Sequence, residues 1–347
     1  PQFNRVFFTG SGSESNDTIV RMVRTYWDLM GQPERHTIIS RNNAYHGSTV
    51  AAASLGGMKA MHKQSGLPIP GIVHVDQPYW YGSDQSLSPE DFGIAAARAI
   101  EDKIKEVGAD KVAAFIGEPI QGAGGVIGPP DSYWPEVQRI CDEYGILLIS
   151  DEVITGFGRL GEWFGADYFG TKPDFMPFAK GVTSGYLPLG GVFVSDRVAD
   201  VLVDKAGEFA HGYTYSGHPA SCAVAIANLK ILHRENLVER IRDDIGPYLQ
   251  KGWAELEDHP LVDNTRMVGL MGALELVKSK DPVERFDEKQ GVGGIARDLF
   301  IENGVCLRAS GDAIICAPPF TLSHSEADTI IEVTRKVLDQ TQKIVSG

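Results

Sequence analysis

Short apolar runs, rich in valine, isoleucine and phenylalanine, recur along the first 195 residues. Runs of about 4 to 8 such residues, bounded by turn-forming residues, are typical of strands that a sheet buries on both faces. The pattern predicts seven strands, at Val6–Thr9, Thr37–Ser40, Ile72–Val75, Val112–Ile116, Ile146–Ser150, Phe175–Phe178 and Gly191–Ser195.

Stretches with helical periodicity lie between these strands. They predict amphipathic helices at Ser13–Met30, Pro89–Val107 and Ser132–Tyr144. The alternation of strands with helices is typical of a mostly parallel sheet that carries helices on both faces. We therefore predict an α/β fold with a mostly parallel seven-stranded sheet flanked by helices.

The pattern changes after about Leu237. A long polar helix is followed by paired apolar runs in Met267–Val277, a helix near Gly294–Glu302, short strands at Val305–Arg308 and Ala313–Ala317, and a last helix from about Ser323. Helices beside a few strands indicate a smaller α+β domain. The sequence therefore predicts a large domain at residues 1–240 and a small C-terminal domain at residues 241–347.

The composition suits two globular domains, with 347 residues of which 43% are hydrophobic and 22% charged. The formal net charge of −14 is spread along the sequence and repels phosphate backbones and anionic membranes, so we expect neither nucleic acid nor a membrane as a partner. No apolar run approaches the ~18 residues that a membrane-spanning helix needs, and Pro1–Arg5 lacks the pattern of a signal peptide. These features predict a cytoplasmic protein.

The cysteines and histidines show no metal-binding spacing. Cys141, Cys222, Cys306 and Cys316 are far apart and mostly sit in apolar segments, which predicts buried, reduced thiols. The nine histidines form no HExxH or similar pattern. We therefore expect no catalytic zinc and no other metal site.

A segment of small residues joins the first predicted strand to the first helix. Gly10 and Gly12 let backbone amides approach a ligand, and the helix N-terminus together with the Ser13 hydroxyl makes an anion site that suits phosphate. A plain strand-to-helix turn capped by Ser13 explains the same residues. A nicotinamide dinucleotide is disfavoured, because the segment lacks a third glycine and the next strand ends in Ser40-Arg41 rather than in an acid.

Two charged residues follow buried strands. Asp151 comes directly after the strand Ile146–Ser150, and Lys180 comes soon after Phe175–Phe178. Each has an ordinary explanation: a helix cap or salt bridge for the aspartate, and a solvated position for the lysine. Together with the anion site they meet the three needs of pyridoxal phosphate, which are a phosphate cradle, a carboxylate for the pyridine nitrogen and an amine for the Schiff base.

Longer motifs surround these residues: Ser11-Gly12-Ser13-Glu14, Ala44-Tyr45-His46-Gly47, Gly117-Glu118-Pro119-Ile120-Gln121-Gly122-Ala123-Gly124-Gly125, Asp151-Glu152-Val153, Ala179-Lys180-Gly181 and His211-Gly212-Tyr213-Thr214-Tyr215-Ser216-Gly217-His218-Pro219. With these motifs the sequence resembles the class III aminotransferases, pyridoxal-phosphate enzymes of fold type I, from residue 5 to its C-terminus. Within that family it is most similar to the ω-transaminases, including the putrescine (polyamine)–pyruvate aminotransferases.

The resemblance implies a role for each matching residue. Lys180 is implied to form the Schiff base and to move the proton between substrate and cofactor. Asp151 is implied to keep the pyridine nitrogen protonated, so that the ring accepts electrons. Gly12 and Ser13 are implied to hold the phosphate, which Thr214 of a second subunit also reaches.

The resemblance also implies the walls of the cofactor site. Tyr45 is implied to stack on one face of the ring and Val153 to pack on the other. His46 is implied to lie beside the cofactor. Glu118 is expected at the same strand edge, where a structural hydrogen bond and a contact with the cofactor both remain open.

Arg308 resembles the arginine that binds the carboxylate of the amino acceptor, and the two-pronged geometry of a guanidinium suits pyruvate. Ornithine- and GABA-type relatives pair that arginine with a glutamate, which residues 122–125 lack, and this favours the amine–pyruvate branch. Ala60, Ala123 and Tyr213 are the other implied substrate-pocket residues. Ala60 stands where some amine transaminases carry a bulky aromatic residue.

We therefore expect a ping-pong transaminase that moves an amino group from putrescine, a polyamine or another primary amine to pyruvate and yields alanine. Its active sites are expected to be shared between subunits of a homodimer or tetramer. The alternatives are another reaction on this scaffold, by an aminomutase or a 2-oxoglutarate-dependent diamine or amino-acid transaminase, and an inactive cofactor-binding protein. Family members carry an N-terminal segment ahead of the position of Pro1, so we expect part of the family's chain to be absent here.

Overall fold

The structure, a computed structural model, describes residues 3–64 and 66–346. Its internal contacts divide the chain into two units. The large unit comprises Pro1–Phe157 and Phe164–Ile231, and the small unit comprises Gly158–Trp163 and Leu232–Gly347. The predicted domains, 1–240 and 241–347, differ from this division, because the small unit begins at Leu232 and also takes in a short earlier segment.

A seven-stranded sheet forms the centre of the large unit. Its strands are β1 (Phe3–Thr9), β2 (Thr37–Arg41), β3 (Ile72–Val75), β4 (Val112–Gly117), β5 (Leu147–Ser150), β6 (Phe175–Phe178) and β7 (Gly190–Ser195). Their order across the sheet is β1-β7-β6-β5-β4-β2-β3. The strands from β6 to β3 are parallel, whereas β7 is antiparallel to both of its neighbours. The predicted α/β fold with a mostly parallel seven-stranded sheet is confirmed.

The helices of the large unit are α1 (Gly12–Leu29), α2 (Val50–Leu55), α3 (Lys59–His62), α4 (Pro89–Val107), α5 (Tyr133–Tyr144), α6 (Gly165–Phe169), α7 (Asp196–Ala206) and most of α8 (Pro219–Arg234), whose last three residues are assigned to the small unit. Local signals set their ends. The Ser88 hydroxyl accepts the Asp91 N–H at the start of α4, and Gly145 ends α5 in a left-handed conformation. The three helices predicted from the sequence coincide with α1, α4 and α5 to within one residue at each end.

Neighbouring side chains along the central strands enter two different apolar clusters. Ile38 of β2 and Ala114 of β4 belong to a cluster with α1, whereas Ile39 and Phe115, the next residues along, belong to a cluster with α4 and α5. Since successive residues of a strand point to opposite faces, each strand is buried on both sides. This burial explains why the strands appear as continuous apolar runs and not as alternating patterns.

The small unit contains a four-stranded antiparallel sheet in the order β12-β13-β9-β8. The strands of this sheet are β8 (Val262–Val268), β9 (Met271–Leu276), β12 (Arg308–Ser310) and β13 (Ala313–Cys316). The small unit also contains a separate pair of strands, β10 (Ser279–Lys280) and β11 (Val283–Glu284). Its helices are α9 (Leu237–Arg240), α10 (Gly246–Ala254), α11 (Val292–Glu302) and α12 (His324–Ser346). Strands and helices share one apolar cluster that includes Trp253, Leu274 and Phe300.

The prediction of a strand at Val305–Arg308 is wrong, because β12 begins only at Arg308. The residues before it complete the end of α11. Gly304 adopts a left-handed φ of 82°, and the Val305 N–H donates to the Phe300 carbonyl at 3.0 Å. Val305 therefore belongs to the C-terminal cap of α11 and lies outside the sheet.

The four cysteines are free thiols. Cys141 and Cys316 are buried as predicted, and burial raises the pKa of both thiols. The prediction is wrong for the other two, since Cys306 is exposed and Cys222 is half-buried. Cys306 lies in the loop before β12, and Cys222 lies on α8, part of whose surface is exposed in the single chain.

No helix within residues 3–64 and 66–346 is long and apolar enough to cross a membrane. The same residues contain no cluster of three or more histidine, cysteine or acidic side chains that could hold a metal ion.

Candidate active site

A cavity of about 460 Å³ opens in the large unit where the loops after β1, β2, β4, β5 and β6 converge. Ligands bind at this edge in open α/β sheets, because the carboxyl ends of parallel strands bring several loops together. Eight residues predicted from the sequence to contact a cofactor line the cavity: Gly12, Ser13, Tyr45, His46, Glu118, Asp151, Val153 and Lys180. The structure therefore gathers in one place residues that lie up to about 170 positions apart in sequence.

The remaining predicted residues do not line the cavity in the part of the chain that the structure describes. Ala60 is exposed on α3, Ala123 is buried, Tyr213 is half-buried and Thr214 is exposed. Arg308 is exposed at the start of β12 in the small unit. The functional roles of these five residues stay predictions.

The start of α1 forms one end of the cavity. The Ser11 hydroxyl caps the helix by accepting the Glu14 N–H at 3.2 Å. The Ser13 hydroxyl, two residues later, accepts the Ser48 N–H at 3.0 Å. This hydrogen bond joins the helix start to the Tyr45–Ser48 loop. Free N–H groups and the helix dipole make such a terminus attractive to an anion. This is the structural basis for a phosphate site.

Gly12 fits this helix start because it has no side chain. A Cβ atom there would lie 2.9 Å from Val153 Cγ2, closer than real Cβ contacts allow. We expect Gly12→Ala to weaken the binding of pyridoxal phosphate by about 5- to 100-fold, since overpacking by one methyl group costs about 1–3 kcal/mol. Titration of the cofactor-free protein with pyridoxal phosphate measures this. Gly128→Ala is the matched control, because a Cβ there meets nothing within 4 Å, and equal affinities of the two variants would contradict the expectation.

Asp151 is held in place by two side chains. Its Oδ2 accepts the Asn16 Nδ2–H at 2.9 Å and contacts His46 Nδ1 at 2.6 Å, while its Oδ1 accepts the Val153 N–H at 3.1 Å. Asn16 also donates to the His46 carbonyl at 2.7 Å. A buried carboxylate with these partners stays in one orientation. Sequence reasoning missed Asn16, which lies in the second turn of α1.

Glu118 lies at the end of β4 beside this network. Its carboxylate accepts the Tyr45 N–H at 3.0 Å and the Gly122 N–H at 2.9 Å. Burial raises the pKa of Glu118, His46 opposes this effect, and the charge of Asp151 adds to it. Through these two backbone contacts Glu118 joins the Tyr45 loop to the loop after β4, while its predicted contact with the cofactor stays a prediction.

Glu152, the next residue after Asp151, points away from the cavity and is fully buried. Its carboxylate accepts four hydrogen bonds, from the Ser150 and Thr155 hydroxyls and from the N–H groups of Gly165 and Ala166. These donors favour the ionised form, but burial outweighs them and raises the pKa of Glu152 to about 7. The residue ties the loop that carries Asp151 to the start of α6.

This raised pKa predicts a pH-dependent stability. The folded chain holds a proton on Glu152 up to about pH 7, whereas an unfolded glutamate loses it near 4.3. Stability from this carboxyl is therefore fully present below about pH 4.3 and falls as the pH rises towards 7. We expect the advantage of the wild type over Glu152→Gln to shrink by about 2–3 kcal/mol from pH 5 to pH 8.

Chemical denaturation of the cofactor-free protein at both pH values measures this difference. Glu34→Gln, at an exposed turn, is the control and should leave the pH dependence unchanged. The interpretation fails if Glu152→Gln and the wild type lose stability in parallel.

Lys180 begins a single 3₁₀ turn directly after β6 and lines the cavity. Its backbone is left-handed, with a φ of 43°, a conformation that costs a side-chain-bearing residue about 1–3 kcal/mol. Such strain persists only where surrounding contacts fix it, and it concentrates at functional positions. Lys180 thus lines the same cavity as Asp151 and the anion site at the start of α1.

Comparison with known proteins identifies the family. The sequence profile described as "Aminotransferase class-III" matches residues 1–338. The chain belongs to the class III aminotransferases. A putrescine–pyruvate aminotransferase of Pseudomonas aeruginosa is 57% identical over 342 residues, which are 99% of this chain and 75% of that protein. The mitochondrial gamma-aminobutyrate transaminase 1 of Solanum lycopersicum is 42% identical over 98% of this chain and 67% of that protein.

Solved structures of other aminotransferases share the fold closely. A thermostable omega transaminase mutant from Pseudomonas jessenii superimposes with a TM-score of 0.95 at 41% identity, covering 99% of this chain and 77% of that one. An (S)-enantioselective omega-transaminase from Thermomicrobium roseum gives a TM-score of 0.94 at 44% identity, covering 98% and 76%. The resemblance to the aminotransferases that the motifs predicted is confirmed.

Class III aminotransferases depend on pyridoxal phosphate, and the cavity of this aminotransferase fits that cofactor. At Gly12, in the first turn of α1, the backbone leaves a space that a Cβ atom would fill. His46 Nε2 is buried and has no partner among the described residues, although its ring is fixed through Nδ1 by Asp151. A carboxylate and an amine complete the groups that pyridoxal phosphate needs.

Proposed function

We propose that this aminotransferase moves an amino group from a primary amine, with putrescine among the donors, to pyruvate and releases alanine. The 57% identity with a putrescine–pyruvate aminotransferase is the observation that carries the proposal. The cavity wall supports it, because it includes the apolar Ile120, Ile154 and Leu187, against which the carbon chain of an amine donor can pack.

Bound pyridoxal phosphate would accept the electron pair that is released when the C–H bond at the donor carbon breaks. In the proposal, the N-terminus of α1 with Gly12 and Ser13 binds the phosphate. The Asp151 carboxylate, oriented by Asn16 and His46, holds a proton at the pyridine nitrogen. The Lys180 amine takes the proton from the donor carbon and returns it on the cofactor side.

Arg308 is proposed to bind the carboxylate of pyruvate, as the resemblance implies. Losing a charge-assisted bidentate contact costs about 1.5–3 kcal/mol, so we expect Arg308→Ala to raise the KM for pyruvate by about 10- to 100-fold. The half-reaction with amine alone should keep its rate. Steady-state and single-turnover assays separate the two effects. Arg297→Ala removes another exposed arginine of the small unit and is the control; a slower amine half-reaction in Arg308→Ala would argue against the assignment.

We further propose that two copies of the chain associate, as a homodimer or within a tetramer, and that Thr214 reaches the partner's phosphate site. Helix α8 supports this. It is rich in apolar residues on all sides, and Ala223, Ile226 and Ala227 are exposed in the single chain. Helices of this composition are normally buried. Sedimentation analysis tests the association. A cytoplasmic location stays a prediction.

The function is tested by incubating the protein with pyridoxal phosphate, putrescine and pyruvate and by quantifying alanine. Putrescine alone should change the visible absorption of the bound cofactor, and pyruvate should restore it. Parallel assays with 2-oxoglutarate address the alternative acceptor. Alanine formation with pyruvate supports the proposal; faster turnover with 2-oxoglutarate, or an unchanged spectrum with putrescine, would overturn the acceptor or the donor respectively.

A further inference from the structure

The turn that carries Lys180 is unusual in its backbone. Lys180 and Ser184 are left-handed, with φ values of 43° and 50°, and Gly185 follows with a φ of 77°. Residues with side chains rarely adopt this conformation unless contacts from elsewhere hold them there. The turn spans Lys180–Thr183, so it is too short to be stable alone.

Contacts inside the segment close the turn on itself. The Ser184 N–H donates to the Gly181 carbonyl at 3.1 Å, and the Gly185 N–H donates to the Lys180 carbonyl at 3.2 Å. The Thr183 hydroxyl donates to the Leu187 carbonyl at 2.6 Å. These bonds fix the shape of the segment, but they do not fix its position against the rest of the large unit.

Asn228 supplies a contact from outside the segment. It lies on α8, and its Nδ2 donates to the Gly181 carbonyl at 2.9 Å and to the Val182 carbonyl at 3.1 Å. One amide nitrogen thus uses both of its hydrogens on consecutive carbonyls of the turn. Asn228 is half-buried and does not line the cavity in the described chain.

We propose that Asn228 is a positioning residue for Lys180. By holding two carbonyls of the turn against α8, it keeps Lys180 in its left-handed conformation and directs the amine into the cavity. This inference rests on the proposed function, in which that amine moves the proton. A residue that serves stability alone would leave the turnover of each folded, cofactor-loaded molecule unchanged.

Asn228→Asp tests the proposal, because it keeps the size of the side chain and replaces the two N–H donors by an oxygen that faces two carbonyls. Asn236→Asp makes the same chemical change at an exposed position just after α8 and is the control. Hydrogen–deuterium exchange of the cofactor-free protein reports on the turn directly. In Asn228→Asp, the amides of residues 181–185 should exchange faster than in the wild type, while those of β6 do not.

Steady-state kinetics of the loaded enzyme gives the second measurement. A displacement of about 1 Å at a reacting group costs on the order of 100-fold in rate, so kcat should fall by about that factor while the KM for amine and for pyruvate stays unchanged. Asn236→Asp should match the wild type in both measurements. If Asn228→Asp does not accumulate as folded protein, Asn228→Ala, which leaves the carbonyls free to bind water, is measured with an expected loss of about tenfold.

Exchange at residues 181–185 that equals the wild type, or a kcat per loaded molecule that equals it, would overturn the positioning role. The proposed function fails separately. If the wild type forms no alanine but exchange in the turn still rises in Asn228→Asp, the contact with α8 holds and the assignment of the reaction is at fault.

Discussion

Lys180→Ala is expected to lower kcat by about 10⁴-fold, because it removes the amine that attaches the cofactor and moves the proton. The side chain lines the cavity that also contains Asp151 and the start of α1. Alanine keeps the same backbone path, so pyridoxal phosphate should still bind at the phosphate site without becoming covalently attached. Activity assays and mass spectrometry after borohydride reduction measure the two effects.

The comparison for this variant is Lys172→Ala, an exposed lysine in the loop before β6. It should retain full activity and covalent attachment. A high concentration of a small free amine should restore part of the activity of Lys180→Ala, since it supplies the missing base. Covalent attachment of the cofactor to Lys180→Ala would show that another lysine does this work.

Asp151→Asn is expected to lower kcat by about 10³-fold, the size of effect seen when a preorganised electrostatic group is removed. The amide carries no charge to hold the proton on the pyridine nitrogen. It also disturbs the Asn16 and His46 contacts, since Asp151 Oδ2 accepts from both neighbours. The KM for pyruvate should change little, because Asp151 is assigned to the ring and not to the acceptor.

Asp131→Asn, an exposed aspartate before α5, is the control for this variant. Thermal unfolding of both cofactor-free proteins shows whether Asp151→Asn remains folded. Turnover of a folded, cofactor-loaded Asp151→Asn within a few-fold of the wild type would remove Asp151 from the electronic role.

The central sheet could be predicted because its strands are short, apolar on both faces and bounded by polar residues. Helix α8 could not, since its apolar residues lie on all sides and leave no stripe for periodicity to detect. Val305 shows a second limit. An apolar residue after a helix can pack at the helix C-terminus, as Val305 does, or it can begin a strand. Only the fold distinguishes these two cases.

Gly12, Ser13, Asp151 and Lys180 could be located because they follow strands or begin a helix, and the sequence marks both positions. The other four cavity residues were implied by the resemblance to the family. Asn16 and Asn228 could not be found in this way. Each lies within a helix, where asparagine is typical of a solvated face, and its partners belong to loops that are distant in sequence. Glu152 lies in one of the motifs, but two of its four hydrogen bonds come from the start of α6, which the sequence did not predict.

The position of β1 at the edge of the large sheet has a consequence for folding. β1 pairs with β7, with Phe3 opposite Ser195 and Thr9 opposite Gly190, so these two neighbouring strands are far apart in sequence. Contacts between residues of such long sequence separation form slowly. We therefore expect the β1 edge of the sheet, which leads into the start of α1, to become ordered late in folding.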